Sequence, residues 1–365
     1  MSSITGIPWA EATLNTHYGC TKVSPACKNC YAESMTRRLV ANPQTSHLVQ
    51  DVMAAGRWTG VVNVFPERME QALHWKKPRM IFVNSMSDTF HEQISDGALD
   101  KIFAYMALAP QHTFLLLTKR ARRMKEYLTS RITVQEWQDA LSSAAADMHL
   151  SDEAQCQIAS AIGNHLVDEM NVGWPMRNVW CGVTIEDQKN ADDRVPFLLG
   201  TPAMKRFVSI EPMLEEIDLR ASYQEEYHYC SKCGWQGTET DNNCSMCNDG
   251  EFIGFQDDGR CNNGHDGFRV ECCPKCGSDG SIYAFDSVKE DDFLPLVGLD
   301  WVICGTESLG NKAGRAPDLD AVRDLRDQCV DADVPFFLKQ LPDGKGGLVK
   351  EPGLDGKQWL QYPER

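Results

Sequence analysis

Short runs of apolar, β-branched and aromatic residues recur along this chain, and each stops abruptly at polar side chains. They are Met80 to Asn84, Thr113 to Leu117, Val179 to Val183, Arg206 to Ile210, Trp301 to Cys304 and Pro335 to Leu338, with a first run near Trp9 to Leu14. Continuous apolar runs of this length fit strands covered on both faces, and the segments between them carry helical periodicity or helix caps. Strand and helix alternating in this way build parallel βα units. About seven strands suit an α/β fold that is a full or partial (β/α) barrel better than a small doubly wound sheet.

Function in such folds collects at the carboxyl ends of the strands. Each run here is followed at once by residues able to do chemistry: Asn84-Ser85-Met86-Ser87-Asp88, Thr118-Lys119-Arg120, Thr184-Ile185-Glu186-Asp187, Glu211-Pro212, Gly305-Thr306-Glu307-Ser308 and Lys339-Gln340. A carboxylate at a strand end can take an ammonium group or ribose hydroxyls, and Lys119 or Arg120 can pair with a carboxylate or a phosphate. Asp88, Lys119 and Glu307 are therefore candidate catalytic groups. Asn84, Ser85, Thr118, Thr184, Glu186, Glu211 and Gly305 are candidate cofactor contacts. Solvation alone also makes strand ends polar, so the pattern by itself does not assign a role.

Directly after the first run comes Gly19-Cys20-Thr-Lys-Val-Ser-Pro-Ala-Cys27-Lys-Asn-Cys30-Tyr31, which places three thiols as C-x6-C-x2-C. The chain holds 15 cysteines, an odd count. The N-terminus has neither a basic nor an apolar leader region, and no apolar run approaches membrane-spanning length, so a cytoplasmic location is expected and no membrane partner. Cytosolic thiols stay reduced, which makes clustered cysteines metal ligands before disulfides. Soft thiolates favour iron-sulfur clusters or zinc. Three thiols on a [4Fe-4S] cluster leave one iron open, as in radical S-adenosylmethionine (SAM) enzymes, whose usual spacing C-x3-C-x2-C is shorter in the first gap. A zinc site completed by His17 or His91 is the competing reading. The formal charge of -16, from 52 acidic and 36 basic residues, counts against a general nucleic-acid binder though not against a local basic groove.

Several ordered motifs carry a resemblance: the three-cysteine loop through Tyr31-Ala32-Glu33, Phe82-Val-Asn-Ser-Met-Ser-Asp88, Ala107-Leu-Ala-Pro-Gln-His-Thr113, Leu117-Thr-Lys-Arg120, Phe207-Val-Ser-Ile-Glu-Pro212 and Leu325-Arg-Asp-Gln-Cys329. Together they resemble an uncharacterised phage and bacterial three-cysteine-motif family with radical-SAM-like features. Gly305-Thr306-Glu307-Ser308-Leu309 departs from that family's Gly-Gly-Glu-Ser-Gly at two positions but keeps Glu307. The resemblance implies a radical-SAM-type barrel with a [4Fe-4S] cluster on Cys20, Cys27 and Cys30, SAM as co-substrate, and a flavodoxin or ferredoxin as electron donor. Phage relatives imply a modified DNA base or nucleotide as substrate in DNA hypermodification, for example isomerisation of glycinyl-thymidine to aminoethyl-uracil, which would evade host restriction. Radical chemistry on a peptide or small metabolite is one alternative. A non-catalytic metal-dependent interaction module is another.

Two stretches interrupt the strand rhythm and divide the chain into a barrel, residues 1-221 and 298-365, and its insertions. About 129-173, the Thr133-Val-Gln-Glu136 capping pattern and a second start after Ser151 predict a helical hairpin. About 222-297, Cys230-x2-Cys233 and Cys244-x2-Cys247 make a zinc-ribbon-like pattern, followed by Cys261, His265 and Cys273-x2-Cys276. Either two zinc ions bind, the second on Cys261, His265, Cys273 and Cys276, or one zinc joins Cys230 and Cys233 to Cys273 and Cys276; an auxiliary iron-sulfur cluster is the third option. Cys156, Cys181, Cys304 and Cys329 stand singly in apolar surroundings and read as core thiols.

Overall fold

The computed structural model describes residues 5-131, 134-163, 176-220, 227-230, 236-238, 282-284, 296, 298-310 and 312-364. Its main sheet contains β1 (Ala12–Leu14), β2 (Met80–Val83), β3 (Thr113–Thr118), β4 (Val179–Thr184), β5 (Lys205–Ile210), β6 (Trp301–Gly305), β7 (Phe336–Pro342) and β8 (Leu348–Lys350). The strands lie side by side in chain order. All pairs from β1 to β7 are parallel, and β8 turns back antiparallel on β7. All seven expected strands are present, six of them within three residues of their sequence bounds, whereas β7 runs four residues past its expected end at Leu338; β8 was not foreseen. The edges β1 and β8 do not pair with each other, so the sheet is a curled half-barrel rather than a closed barrel.

Side chains alternate between the faces of each strand. Ile81, Val83, Phe114, Leu116, Cys181, Val183, Val208, Ile210, Val302, Cys304, Phe336 and Leu338 join one core with the helices. Three helices cover this face from well-capped starts: α2 (Asp96–Ala107), α6 (Gln188–Leu199) and α7 (Leu319–Asp331), whose caps Ser95, Asp187 and Asp318 each accept a first-turn N–H. Between α2 and α6 in the chain run α3 (Ala121–Thr129), α4 (Val134–Asp147) and α5 (Asp152–Gly163). The last two form the expected helical hairpin, and Trp137 and Leu141 of α4 bury into the main core. Thr133, the expected cap of α4, lies outside the described residues.

Among the described residues no helix joins the core of the opposite face. Trp9, Phe82, Leu115, Trp180, Phe207, Trp301, Ile303 and Phe337 form a second core there. Trp301 sits at its centre, with the rings of Trp180, Phe207 and Phe337 at 6.5, 5.9 and 6.1 Å. Gly182 is required by this layer, because a Cβ would come within 2.5 Å of the Phe207 ring. One step further along the same face the residues turn polar: Asn84, Lys119, Thr184, Ser209 and Glu211, Gly305, and Lys339. The concave face thus has an aromatic floor and a polar rim at the carboxyl ends of the strands.

Of the predicted core thiols, Cys181, Cys304 and Cys329 are buried, whereas Cys156 is exposed on α5. That corrects its assignment: α5 is the outer helix of the hairpin and turns this position to solvent. Among the described residues no helix is long and apolar enough to cross a membrane.

Candidate functional site: a three-thiol loop fastened across the strand ends

After β1, residues His17–Tyr18 pair antiparallel with Asn63–Val64, and Gly19 at φ +101° turns the chain into the thiol loop. A Cβ on Gly19 would collide with the Val61 carbonyl oxygen. Pro25–Asn29 forms a 3-10 turn, and Cys30 then caps α1 (Tyr31–Val40), its sulfur accepting from the Glu33 N–H at 3.5 Å.

The ends of β2, β3, β4 and β6 hold this loop along its length. Asn84, in the left-handed region at φ +63°, accepts from the N–H groups of Thr16 and His17 at 2.7 and 3.2 Å and donates to His17 Nδ1 and Thr89 Oγ1. The Ser85 hydroxyl donates to Asn15 Oδ1 and that of Ser87 to the Gly19 carbonyl. Asp88 is buried and accepts four hydrogen bonds, from Phe90 N, Thr118 Oγ1, Lys119 N and Arg120 Nη1. Arg120 donates its Nε to both Glu92 oxygens and its Nη2 to the carbonyl and hydroxyl of Thr21, the second at 2.7 Å; its Nη1 also lies 3.8 Å from the Cys20 sulfur. Glu186, fully buried, accepts from Ala26 N at 3.3 Å and from Arg194 Nη1 at 2.9 Å. Glu307 accepts from Asn29 Nδ2 at 2.9 Å and is gripped by the Arg315 guanidinium through both oxygens. A Cβ on Gly314 would strike that carboxylate, so the grip requires glycine there.

Asn84, Asp88, Thr118, Glu186 and Glu307 were expected to contact cofactor or substrate. In the structure Asn84, Glu186 and Glu307 engage the loop, the residues leading into it or a neighbouring arginine, while Thr118 and Asp88 bond to each other and to Arg120. The difference has a physical reason: a loop of polar backbone lying over strand ends leaves N–H groups and carbonyls that need partners. Sequence reading missed Asn29, Arg194 and Arg315 altogether, since nothing in their spacing announces a partner.

A second set on the rim takes no part in holding the loop. Glu211 accepts from Ser209 Oγ at 3.1 Å and pairs with Lys339 Nζ at 2.8 Å. A Cβ on Gly305 would lie 2.8 Å from Glu211 Oε1, so the bare backbone there makes room for this pair. Thr184 lies on the same face. The Lys119 ammonium has no carboxylate partner among the described residues, and its charge is felt at Cys27.

Burial pushes the Cys20 thiol up to about 12, with Asp88 adding to the shift and Arg120 opposing it. The Cys27 thiol is lower than usual: burial raises it, but Lys119 and hydrogen bonds around Ser24 outweigh that. Burial likewise disfavours the charged forms of Asp88 and Glu307, yet Arg120 and Thr118 for the first, and Arg315 and Asn29 for the second, hold both carboxyls below their ordinary values.

His17 is fully buried, and burial lowers it from 6.5 to about 4. Asn84 Nδ2 donates to its Nδ1 at 2.7 Å, so Nε2 carries the proton, and that N–H has no partner. The folded pKa is depressed, so the unfolded chain takes up the proton first as pH falls. Stability is therefore full above about pH 6.5 and declines toward the folded value, by about 3 kcal/mol in total. Burial lowers His91 and His112 in the same direction. Urea midpoints recorded from pH 7 to 5 should fall steadily in the wild type and less in His17→Gln; parallel curves would show that His17 does not titrate this way.

Among the described residues no three His, Cys, Asp or Glu side chains converge closely enough to hold a metal ion. His91 is engaged at both ring nitrogens, by Thr21 and Gln93, and among the described residues neither it nor His17 converges with the thiols into a ligand group. The three thiols share one partly buried loop and none of them is in a disulfide. A single zinc ion needs donors about 2.3 Å from one point. A [4Fe-4S] cluster would take each thiolate on a separate iron, and three cysteines on one loop are soft donors of the kind it takes. Cys230 ends the strand Tyr227–Cys230, which pairs with Gln236–Thr238 and Ile282–Ala284. The other predicted zinc ligands, Cys233, Cys244, Cys247, Cys261, His265, Cys273 and Cys276, lie outside the described residues.

Fold and site together define a mixed α/β protein whose mostly parallel half-barrel carries a three-thiol loop across its strand ends. The chain belongs to the family described as "Protein of unknown function (DUF5131)", whose profile matches residues 4–363. No curated protein and no solved structure matches it.

Proposed function

We propose that this chain is a radical SAM enzyme that binds a [4Fe-4S] cluster through Cys20, Cys27 and Cys30. The observation that carries the reading is the three-thiol loop itself, fastened over the carboxyl ends of a parallel half-barrel and facing a concave polar rim. When bound, cluster and SAM supply a 5'-deoxyadenosyl radical, one electron coming from a flavodoxin or ferredoxin. The chain supplies position and shelter. Asp88, Arg120, Glu186 and Glu307 keep the loop in one geometry, the aromatic floor around Trp301 excludes water from below, and Glu211, Lys339 and Lys119 remain to orient SAM and substrate. Preorganised charges of this kind act strongly where water is excluded.

The substrate in this reading is a modified base or nucleotide of phage DNA, an amino-acid-bearing thymidine rearranged in the cytoplasm to evade restriction. Lys119, whose ammonium has no carboxylate partner among the described residues, suits an anionic substrate despite the chain's overall charge of -16. The cysteine-rich insertion holds one or two zinc ions that staple it. Anaerobically reconstituted, dithionite-reduced protein should release 5'-deoxyadenosine and methionine from SAM or, if SAM is recycled, convert modified thymidine in DNA with trace release. Reduced, iron-loaded protein that does neither would defeat the proposal. Conversion of a peptide but not of DNA would move the substrate class.

A further inference from the structure

Arg120 stands apart from the other groups that hold the thiol loop. Asn84, Glu186 and Glu307 reach loop amides or the Asn29 carboxamide, whereas Arg120 alone among the described residues brings a side-chain cation to a thiol, with Nη1 3.8 Å from the Cys20 sulfur. The residue is buried, 7% exposed. Its Nε is held by Glu92, its Nη1 by Asp88 at 3.1 Å and its Nη2 by Thr21, so it can neither follow a moving sulfur nor withdraw into water. Three of these partners arrive from different segments: the β2 end, the turn that follows it and the thiol loop. That is more than an ion pair needs for stability, and it fixes a positive charge at one thiol.

Lys119, the adjacent residue, donates its backbone N–H to the same Asp88 carboxylate at 3.0 Å, and its charge lowers the Cys27 thiol. Two consecutive cations thus stand at one strand end beside the loop.

Hydrogen bonds to ligand sulfurs and net local charge set the reduction potentials of iron-sulfur clusters. A cluster on three thiolates is anionic and becomes more so on taking an electron, so a fixed cation at a ligand sulfur favours the reduced form. We infer that Arg120, with Lys119 as the weaker partner, sets the reduction potential of the cluster held by the thiol loop. This rests on reading the loop as a cluster site. Arg120 is on this account a positioning residue that acts through Cys20.

The experiment is a potentiometric titration, followed by electron paramagnetic resonance, of the full-length protein after anaerobic reconstitution, with iron per chain measured in each sample. Wild type, Arg120→Gln, Arg120→Lys and Lys119→Met are compared. With iron retained, Arg120→Gln should reduce at a more negative potential, leaving the reduced fraction several-fold lower at the wild-type midpoint. Arg120→Lys should recover part of that loss, and Lys119→Met should shift in the same direction by less. Unchanged midpoints in all iron-loaded variants would overturn the inference and leave Arg120 a loop clamp. Should Arg120→Gln lose its iron, Arg120→Lys and Lys119→Met decide by the same criterion. A wild type that binds no iron would instead remove the cluster reading, and the inference with it.

Discussion

Asp88→Ala is expected to destabilise the protein by about 3–5 kcal/mol, among the largest effects of any single substitution here. The carboxylate is buried and satisfies four donors. Its removal strands the N–H groups of Phe90 and Lys119 and leaves Arg120 buried opposite a missing charge. Because Arg120 in turn holds Thr21, the damage travels to the thiol loop. Urea denaturation should show the lost stability, and reconstitution should yield less iron per chain. The milder Asp88→Asn should fall between the two. A variant with wild-type midpoint and wild-type iron would show that the loop does not depend on this clamp. Acid should act in the same direction: the Asp88 pKa is depressed in the fold, so its contribution is full above the unfolded value and is lost as pH falls through the folded one.

Replacing Cys20, Cys27 or Cys30 singly by Ala should abolish the cluster, taking iron from about four per chain in this site to essentially none. The fold should survive, because the contacts that fasten the loop run through Asn29, Thr21, Ala26 and Ser87 rather than through metal. Near-wild-type melting with lost absorbance is thus the expected pair of results. Retention of iron in any of the three variants would exclude that thiol as a ligand. Cys230→Ser with Cys233→Ser should remove zinc and leave the iron untouched; loss of iron there would instead favour an auxiliary cluster in the insertion.

The strands were legible because each is a continuous apolar run ended by polar residues, a pattern set by burial on both faces. β8 was not, since Leu348–Lys350 is a short, largely exposed edge strand whose pairing depends on β7 alone. The thiol loop was legible from spacing, and so was the gathering of polar groups at strand ends. Their division of labour was not. Whether Glu307 is free or gripped depends on Arg315 and on Asn29, 278 residues away along the chain, and no local pattern encodes such a meeting. Lys339 was picked out at its strand end, but its pairing with Glu211, and the part of Ser209 in it, were not legible for the same reason: they depend on β5 and β7 flanking a bare Gly305. Cys156 misled because an apolar neighbourhood in sequence is not yet a buried face of a helix.

The central claim is that the loop holds a cluster with one iron left for SAM. Electron paramagnetic resonance of the anaerobically reconstituted, dithionite-reduced protein, recorded with and without SAM, tests it most directly. The account predicts a [4Fe-4S] signal that is absent from Cys27→Ala and that changes shape when SAM is added. A colourless protein with zinc in the loop, or a cluster signal indifferent to saturating SAM, would contradict it.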